Sequence, residues 1–173
     1  MLTPYHRITV TFEEVKSDEV KSEKMTEVSI NGKMKLSQHF ELGELTKSSH
    51  TEVYNIPSHQ AIENLKRVCE WLEELRSRAG APIIINSGYR SPQLNKKVGG
   101  AATSNHLTGC AVDIRVDGIE QALRYAVILL DIADETKQDF DEILIEKNRY
   151  GAMWLHFAVR PKDNRRKVAF LRV

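Results

Sequence analysis

Cysteine is scarce. Cys69 and Cys110 are the only two in 173 residues, too few for a disulfide scaffold. There is no CxxC pair and no HExxH stretch, which removes the commonest thiolate and helical metal-site signatures. An excess of one charge sign is also missing: 25 Lys and Arg stand against 24 Asp and Glu, a formal net charge of +1. A protein that coats a duplex carries a large basic excess, so nucleic-acid binding is not expected. No apolar run approaches the roughly 20 residues that span a bilayer, so membrane insertion is not expected either. The N-terminal stretch MLTPYHRITVTFEEVKSDEVKSEK lacks the apolar core of a signal peptide. The expectation is a chain made in the cytoplasm without an export signal. Internal repeats and low-complexity tracts are absent as well.

What is present is the material of one globular domain. Hydrophobic residues make up 41% and charged residues 28%, too apolar for wholesale disorder. Residues 1–33 read as an N-terminal arm or hairpin. Ile8, Val10 and Phe12 alternate with threonines, and Val28, Ile30 and the Asn31-Gly32 pair hint at a second strand. Residues 34–173 read as the domain proper. Phe40, Leu42 and Leu45 suit a short docking helix. Ser58 then opens a long helix, with Ala61, Ile62, Leu65, Val68, Cys69, Leu72 and Leu75 on one stripe and Gly80 and Pro82 as its stop. Cys69 on that stripe is a small core hydrophobe.

Ile83-Ile84-Ile85 reads as a buried strand, followed by a loop carrying Ser87-Gly88-Tyr89-Arg90-Ser91 and a short helix from Pro92 with Leu94 and Val98. Cys110 to Val116 alternates as a strand. Residues 118–133 form a second long helix packed by Ala122, Leu123, Ala126, Leu129 and Leu130. Three strand-like runs (FDEILIE, WLHFAV and VAFLRV) close the chain. The predicted fold class is α+β, two main helices over a small, largely antiparallel sheet.

The chemistry concentrates in Ser104 to Asp113. Read as a strand after Gly109, the segment puts Cys110, Val112 and Ile114 on one face and Ala111, Asp113 and Arg115 on the other. Asp113 is thereby turned from the core toward a cleft, and the Gly109 turn can fold His106 back toward it. His156 in Trp154-Leu-His-Phe-Ala-Val shares a face with Trp154 and Ala158. Two imidazoles and a carboxylate suit a zinc ion with an open fourth position, and such a site makes hydroxide available near neutral pH. Spacing alone leaves open whether these are ligands or ordinary packed histidines. Cys110 alternates with core residues and is not read as a nucleophile. His6, His39, His50 and His59 read as surface, packing or capping residues.

The string Ser104-x-His106-x-x-Gly109-x-Ala111-x-Asp113 resembles the SxHxxGxAxD signature of the zinc peptidases of family M15, and Trp154-x-His156 resembles their second-histidine motif. The likeness is strongest to the carboxypeptidase-like subgroup (subfamily A). It includes Ser37-Gln-His-Phe-Glu-Leu-Gly-Glu-Leu45, Ile85-Asn-Ser-Gly-Tyr-Arg-Ser91 and the stretch Leu94 to Gly100, and extends over about residues 36–160. The resemblance implies a hedgehog/DD-peptidase-like fold. It implies one Zn²⁺ per chain on His106, Asp113 and His156, with Arg90, Tyr89 and Ser104 binding substrate. Arg90 is placed to bind a substrate carboxylate or an oxyanion, its alternative being a salt bridge that fixes the loop. Ser104 either bonds substrate or holds the His106 loop.

The general base is where this chain departs from the wider family. Glu three residues before the second histidine is replaced by Met153. Glu146, at the end of the preceding strand, matches the subgroup's position and is the expected base, with Glu142, of the same parity, as its fallback. Asp141 is a candidate partner for a ligand histidine. Lys96-Lys97 and Arg165-Arg166-Lys167 read as solvated faces that can also hold an anionic wall polymer.

The implied function is hydrolysis of a peptide bond in the peptidoglycan stem by metal-activated water, as a D-Ala-D-Ala carboxypeptidase or an endolysin-type endopeptidase. A monomer is expected. So is release to the cell wall or periplasm in the manner of a phage or prophage lysin. The alternative is a non-catalytic zinc-containing wall-binding module on the same fold.

Overall fold

The computed structural model describes residues 32–173; the N-terminal arm expected from Ile8, Val10, Phe12, Val28 and Ile30 lies outside that range. The elements in chain order are α1 (Leu42–Thr46), α2 (His59–Ala79), β1 (Ile85–Ser87), α3 (Pro92–Lys97), a 3₁₀ turn (Asn105–Thr108), β2 (Ala111–Arg115), α4 (Ile119–Thr136), β3 (Glu142–Lys147), β4 (Met153–Ala158) and β5 (Lys167–Arg172). The architecture is α+β. The five strands form one sheet in the order β1-β2-β4-β3-β5. Every neighbouring pair is antiparallel except β3 and β5.

Local chemistry sets the two main helices. Ser58 Oγ accepts from Ala61 N at 3.2 Å at the start of α2, and Gly80 ends it in the left-handed region at φ 67°. The expected stripe of α2 is buried, joined by Asn64 and Trp71, while Ile62 is only partly covered. On α4 the packed face is Ala122, Tyr125, Ala126, Leu129, Ile132 and Ala133. Leu123, expected in the core, is 44% exposed, and Val127 lies out with it. The helix carries two apolar stripes, and the one rich in alanine faces α2 and the sheet, where small side chains allow close approach.

The Ile83–Ile85 run is corrected in a similar way. Ile83 and Ile85 are buried, but Ile84 between them is 47% exposed, and the strand runs from Ile85 to Ser87. Successive side chains of a strand point to opposite faces, and here only one face is covered.

Alternation places the site. Val112 and Ile114 of β2 and Leu155 and Phe157 of β4 point into the core against the helices, with Trp71 of α2 packed on Phe157 at 5.4 Å between ring centroids. The residues between them, Asp113 and His156, face the opposite side, and the β2–β4 register sets them directly across from each other. The β3–β4 register puts Leu144 beside His156, with Glu142 and Glu146 one step to either side. One sheet face is therefore core and the other is the floor of a cleft.

Candidate active site

Two glycines bring the loops over that floor. Gly109 sits at φ 72°, and a Cβ there would lie 2.4 Å from the Ala61 carbonyl oxygen of α2. A Cβ on Gly88 would lie 2.3 Å from Leu45 O. Both positions need backbone to approach backbone, which only glycine permits. The Gly109 turn ends the 3₁₀ segment carrying His106, and Asn64 of α2 holds the same segment by donating to Thr108 O at 2.8 Å. Asn55 holds the Arg90 loop, donating to Tyr89 O and accepting from Ser91 N. Asn55 and Asn64 carried no motif in the sequence; their role is visible only once the loops they bridge are close.

The structure brings His106, Asp113 and His156 together. One ligand atom of each lies within 4.8 Å of the others, and all three residues are buried. His106 Nε2 is 3.2 Å and His156 Nδ1 is 3.0 Å from Asp113 Oδ1. The outer nitrogen of His106 is fixed: Nδ1 is 2.6 Å from Gly88 O, which can only accept. The proton therefore sits on Nδ1, and the Nε2 lone pair faces Asp113. His156 Nε2 lies 3.5 Å from Glu142 Oε2, leaving Nδ1 as the inward atom. The other Asp113 oxygen, Oδ2, accepts from the Arg90 guanidinium at 2.6 Å.

These residues can hold a metal ion. A tetrahedral ion with bonds of about 2.0–2.1 Å spaces its ligand atoms about 3.3 Å apart, close to the two separations found here. Two imidazoles oriented by outer acceptors and one carboxylate gripped by a guanidinium form the donor set of a metal site with its second layer of contacts in place. Burial holds His106 in its neutral form by pushing its pKa down. Burial acts against ionised Asp113, but the neighbouring histidines outweigh it and hold its carboxyl well below the usual range. Burial also disfavours the His156 cation, yet bonds to Asp113 and Glu142 push its pKa up to about 9.

The cleft above these atoms has a volume of about 680 Å³, and its walls include Arg90, Ser104, Glu142, Glu146 and Trp154. Glu146 Oε2 accepts from the Trp154 indole N–H at 2.6 Å. Burial pushes its pKa up, the Asp113 charge adds to that, and the Trp154 bond and His156 oppose it. Glu142 is more heavily engaged. It meets Asn105 at 3.1 Å, Arg165 at 2.9 Å, Lys167 at 3.4 Å and His156 at 3.5 Å.

Two expectations need correcting, those for Tyr89 and Asp141. Tyr89 does not line the cleft: its side chain packs in the hydrophobic core while its N–H donates to Leu45 O. Arg90 lines the cleft, but its guanidinium is engaged with Asp113 and with Ser87 Oγ at 3.0 Å, so it braces a candidate ligand. Among the described residues Asp141 bonds to no histidine. It is fully buried and accepts from Asn105, the neighbour of His106, at 2.7 Å. Ser104 Oγ accepts from His106 N at 3.3 Å, capping the turn, and also borders the cleft.

Of the remaining sequence features, His39 pairs with Glu73 of α2 and His50 with Glu52, while His6 lies outside the described residues. Lys97 is paired with Glu52, and Arg166 with Asp134 and Asp139. Cys69 and Cys110 are buried free thiols. Burial pushes the Cys69 thiol up to about 12 and Cys110 in the same direction.

A buried His-Asp-His set at the floor of an open cleft, with carboxylates on the adjoining strand, defines a candidate mononuclear metal-hydrolase centre. The family model described as Peptidase M15 matches residues 38–138, and the chain belongs to that family. It is accordingly a hydrolase of the peptidase class. No curated protein matches the chain. Among solved structures it is similar to the Serratia marcescens L-Ala D-Glu endopeptidase ChiX, at 19% identity and a TM-score of 0.39, covering 65% of this chain and 96% of that one. Among the described residues no helix is long and apolar enough to cross a membrane.

Proposed function

We propose that this chain is a zinc-dependent peptidase that hydrolyses a peptide bond in the stem peptide of bacterial peptidoglycan. The observation that carries the reading is the convergence of His106 Nε2, Asp113 Oδ1 and His156 Nδ1 beneath a cleft that also contains Glu146. Zinc bound there would supply an acidified water and a Lewis acid for the scissile carbonyl. The residues of the chain do the rest. Arg90 fixes Asp113 through Oδ2, so that Oδ1 stays turned toward the histidines. Gly88 O and Glu142 orient the two imidazoles from outside.

Glu146 is the general base. Among the described residues its carboxylate has one donor, the neutral Trp154 indole, whereas Glu142 is surrounded by two cations and an amide. Glu146 takes a proton from the attacking water as the carbon–oxygen bond forms. It returns that proton to the amine nitrogen as the carbon–nitrogen bond breaks. The same site serves a D-Ala-D-Ala carboxypeptidase or an endolysin-type endopeptidase, and the proposal takes the chain as a monomer that acts on the wall after release.

Metal content by mass spectrometry tests the reading. Wild type is expected to hold about one zinc per chain, as one donor set of this kind requires, and both His106→Ala and Asp113→Ala to lose it. Zinc-loaded wild type should cleave muropeptides, and Glu146→Gln should keep zinc but lose turnover. No zinc in the wild type after incubation with the ion would overturn the mechanism. Zinc and wall affinity without cleavage would favour a binding module.

A further inference from the structure

β5 extends the cleft floor one strand beyond Glu142 and Glu146, and it lies outside the family-matched segment. The parallel β3–β5 register sets Lys167 beside Glu142, Ala169 beside Leu144 and Leu171 beside Glu146. By strand parity Lys167, Ala169 and Leu171 share the face that carries the site, and Lys167 and Leu171 border the cleft. The added strip is a cation, a small residue and an apolar residue in a row.

The carboxylates along this edge are shared. Arg160 and Arg165 both pair with Asp141, while Arg165 and Lys167 both pair with Glu142. Three cations share these two carboxylates, and Glu142 also meets His156, so none of them has a carboxylate to itself. Arg165 is committed: its Nε and an Nη2 hydrogen bond to the two oxygens of Asp141 at 2.9 and 2.7 Å. Lys167 is the loosely held member. Among the described residues its ammonium has one ion-pair partner, Glu142 Oε1 at 3.4 Å, and its side chain is 44% exposed. An ammonium has three donors, so Lys167 can accept a second anion without giving up the first. Arg90, a further cation at the cleft, already has Asp113 as its partner.

We infer that Lys167 is a substrate-binding residue that recognises a carboxylate of the peptide, at the β5 side of the cleft. The inference rests on the peptidase reading above for the identity of the peptide. Two carboxylates of a stem peptide offer the same chemistry: the free C-terminus and the α-carboxylate of the γ-linked D-glutamate. Recognition of the first belongs to a carboxypeptidase and of the second to an endopeptidase nearer the glutamate, so the residue bears on which bond is cut.

The experiment uses the full chain, zinc-loaded, carrying Glu146→Gln to prevent turnover. Calorimetry measures its affinity for the pentapeptide L-Ala-γ-D-Glu-L-Lys-D-Ala-D-Ala, for its C-terminal amide and for its D-isoglutamine analogue. Amidating one of the two carboxylates is expected to weaken binding about tenfold, the scale of a charge-assisted hydrogen bond at a half-exposed site. Adding Lys167→Met should weaken binding of the parent peptide by the same factor and abolish the effect of amidation, while Lys167→Arg restores both. The amide that matters identifies the carboxylate. Equal affinities for all three peptides with and without Lys167→Met overturn the inference, as does an amidation penalty that survives the substitution or a failure of any peptide to bind. Wild-type digests, read by mass spectrometry, separate the two claims. Cleavage without Lys167-dependent binding removes only this subsite, and Lys167-dependent binding without cleavage removes only the hydrolytic step.

Discussion

Glu146 and Trp154 sit directly across the β3–β4 pair, and the indole N–H reaches the carboxylate at 2.6 Å. A hydrogen bond to the ionised form of an acid favours that form, so Trp154 holds down a pKa that burial and Asp113 push up. Replacing Trp154 by Phe keeps an aromatic ring and removes the donor. The neutral acid is then favoured, and because a base must be ionised to act, the acid limb of kcat/KM should move to higher pH by about one pH unit. A profile that stays in place while kcat falls would make Trp154 a packing residue only. This pair was half legible in the sequence. The resemblance marked Glu146 and Trp154, and alternation put Trp154 and His156 on one face, but the bond between Trp154 and Glu146 depends on the hairpin register, which alternation does not determine. The same limit applied to Arg90. Its motif placed it at the cleft, yet its partner Asp113 is 23 residues away and became visible only when the Gly88 turn was folded against Leu45.

The loop from Val159 to Arg166 must carry the chain around the end of β3 so that β5 can run parallel to it, and Asp141 is the post it turns on. Asp141 N donates to Ala158 O and Asp141 O accepts from Lys167 N, while the side chain accepts from Arg165, Arg160 and Asn105. One buried carboxylate thus ties the His106 turn, the start of β3 and the approach to β5. Burial raises its pKa, but the hydrogen bonds from Arg165 and Asn105 overcome that and hold it at about 2. A carboxyl depressed in the folded state stabilises the fold above its unfolded value near 3.9 and loses that contribution as pH falls through about 2. Asp141→Asn should therefore cost about 2 kcal/mol at neutral pH, below the 3–5 kcal/mol of a fully buried pair because both arginines can regain water. The difference from wild type in thermal or urea unfolding should shrink between about pH 4 and pH 2. A constant gap over that range would mean that the carboxylate's charge is not what holds the loop. Sequence reading reached Asp141 as a candidate partner of a histidine and missed this tie, since Arg160, Arg165 and Asn105 meet only through the topology. The phase of α4 was missed for a related reason: its two apolar stripes are equally helical, and contact with α2 and the sheet chooses between them.

At the scale of the whole molecule, core and site are separated by the thickness of one sheet. Val112, Ile114, Leu155 and Phe157 belong to the hydrophobic core, and Asp113 and His156, which alternate with them, do not. The core is built from α1, α2, α4 and the inner sheet face, and none of its members is a candidate metal ligand. Without metal, His156 still bonds Asp113, Asp113 still bonds Arg90 and His106 still bonds Gly88 O, so the loops over the cleft keep their anchors. Folding should therefore not require zinc, unlike a small zinc-organised domain that is unfolded without its ion. Zinc still binds only the folded state, and at a hundredfold excess over its dissociation constant it adds about 2.7 kcal/mol. For a domain of this size that corresponds to a rise in Tm of about 5–10 °C. Removing zinc with a chelator should lower Tm by this amount, leave the far-UV spectrum at 25 °C unchanged, and be reversed by added zinc. Loss of the folded signal at 25 °C on chelation would show that the ion organises the fold, and a Tm indifferent to chelation would show that no tightly held ion was present.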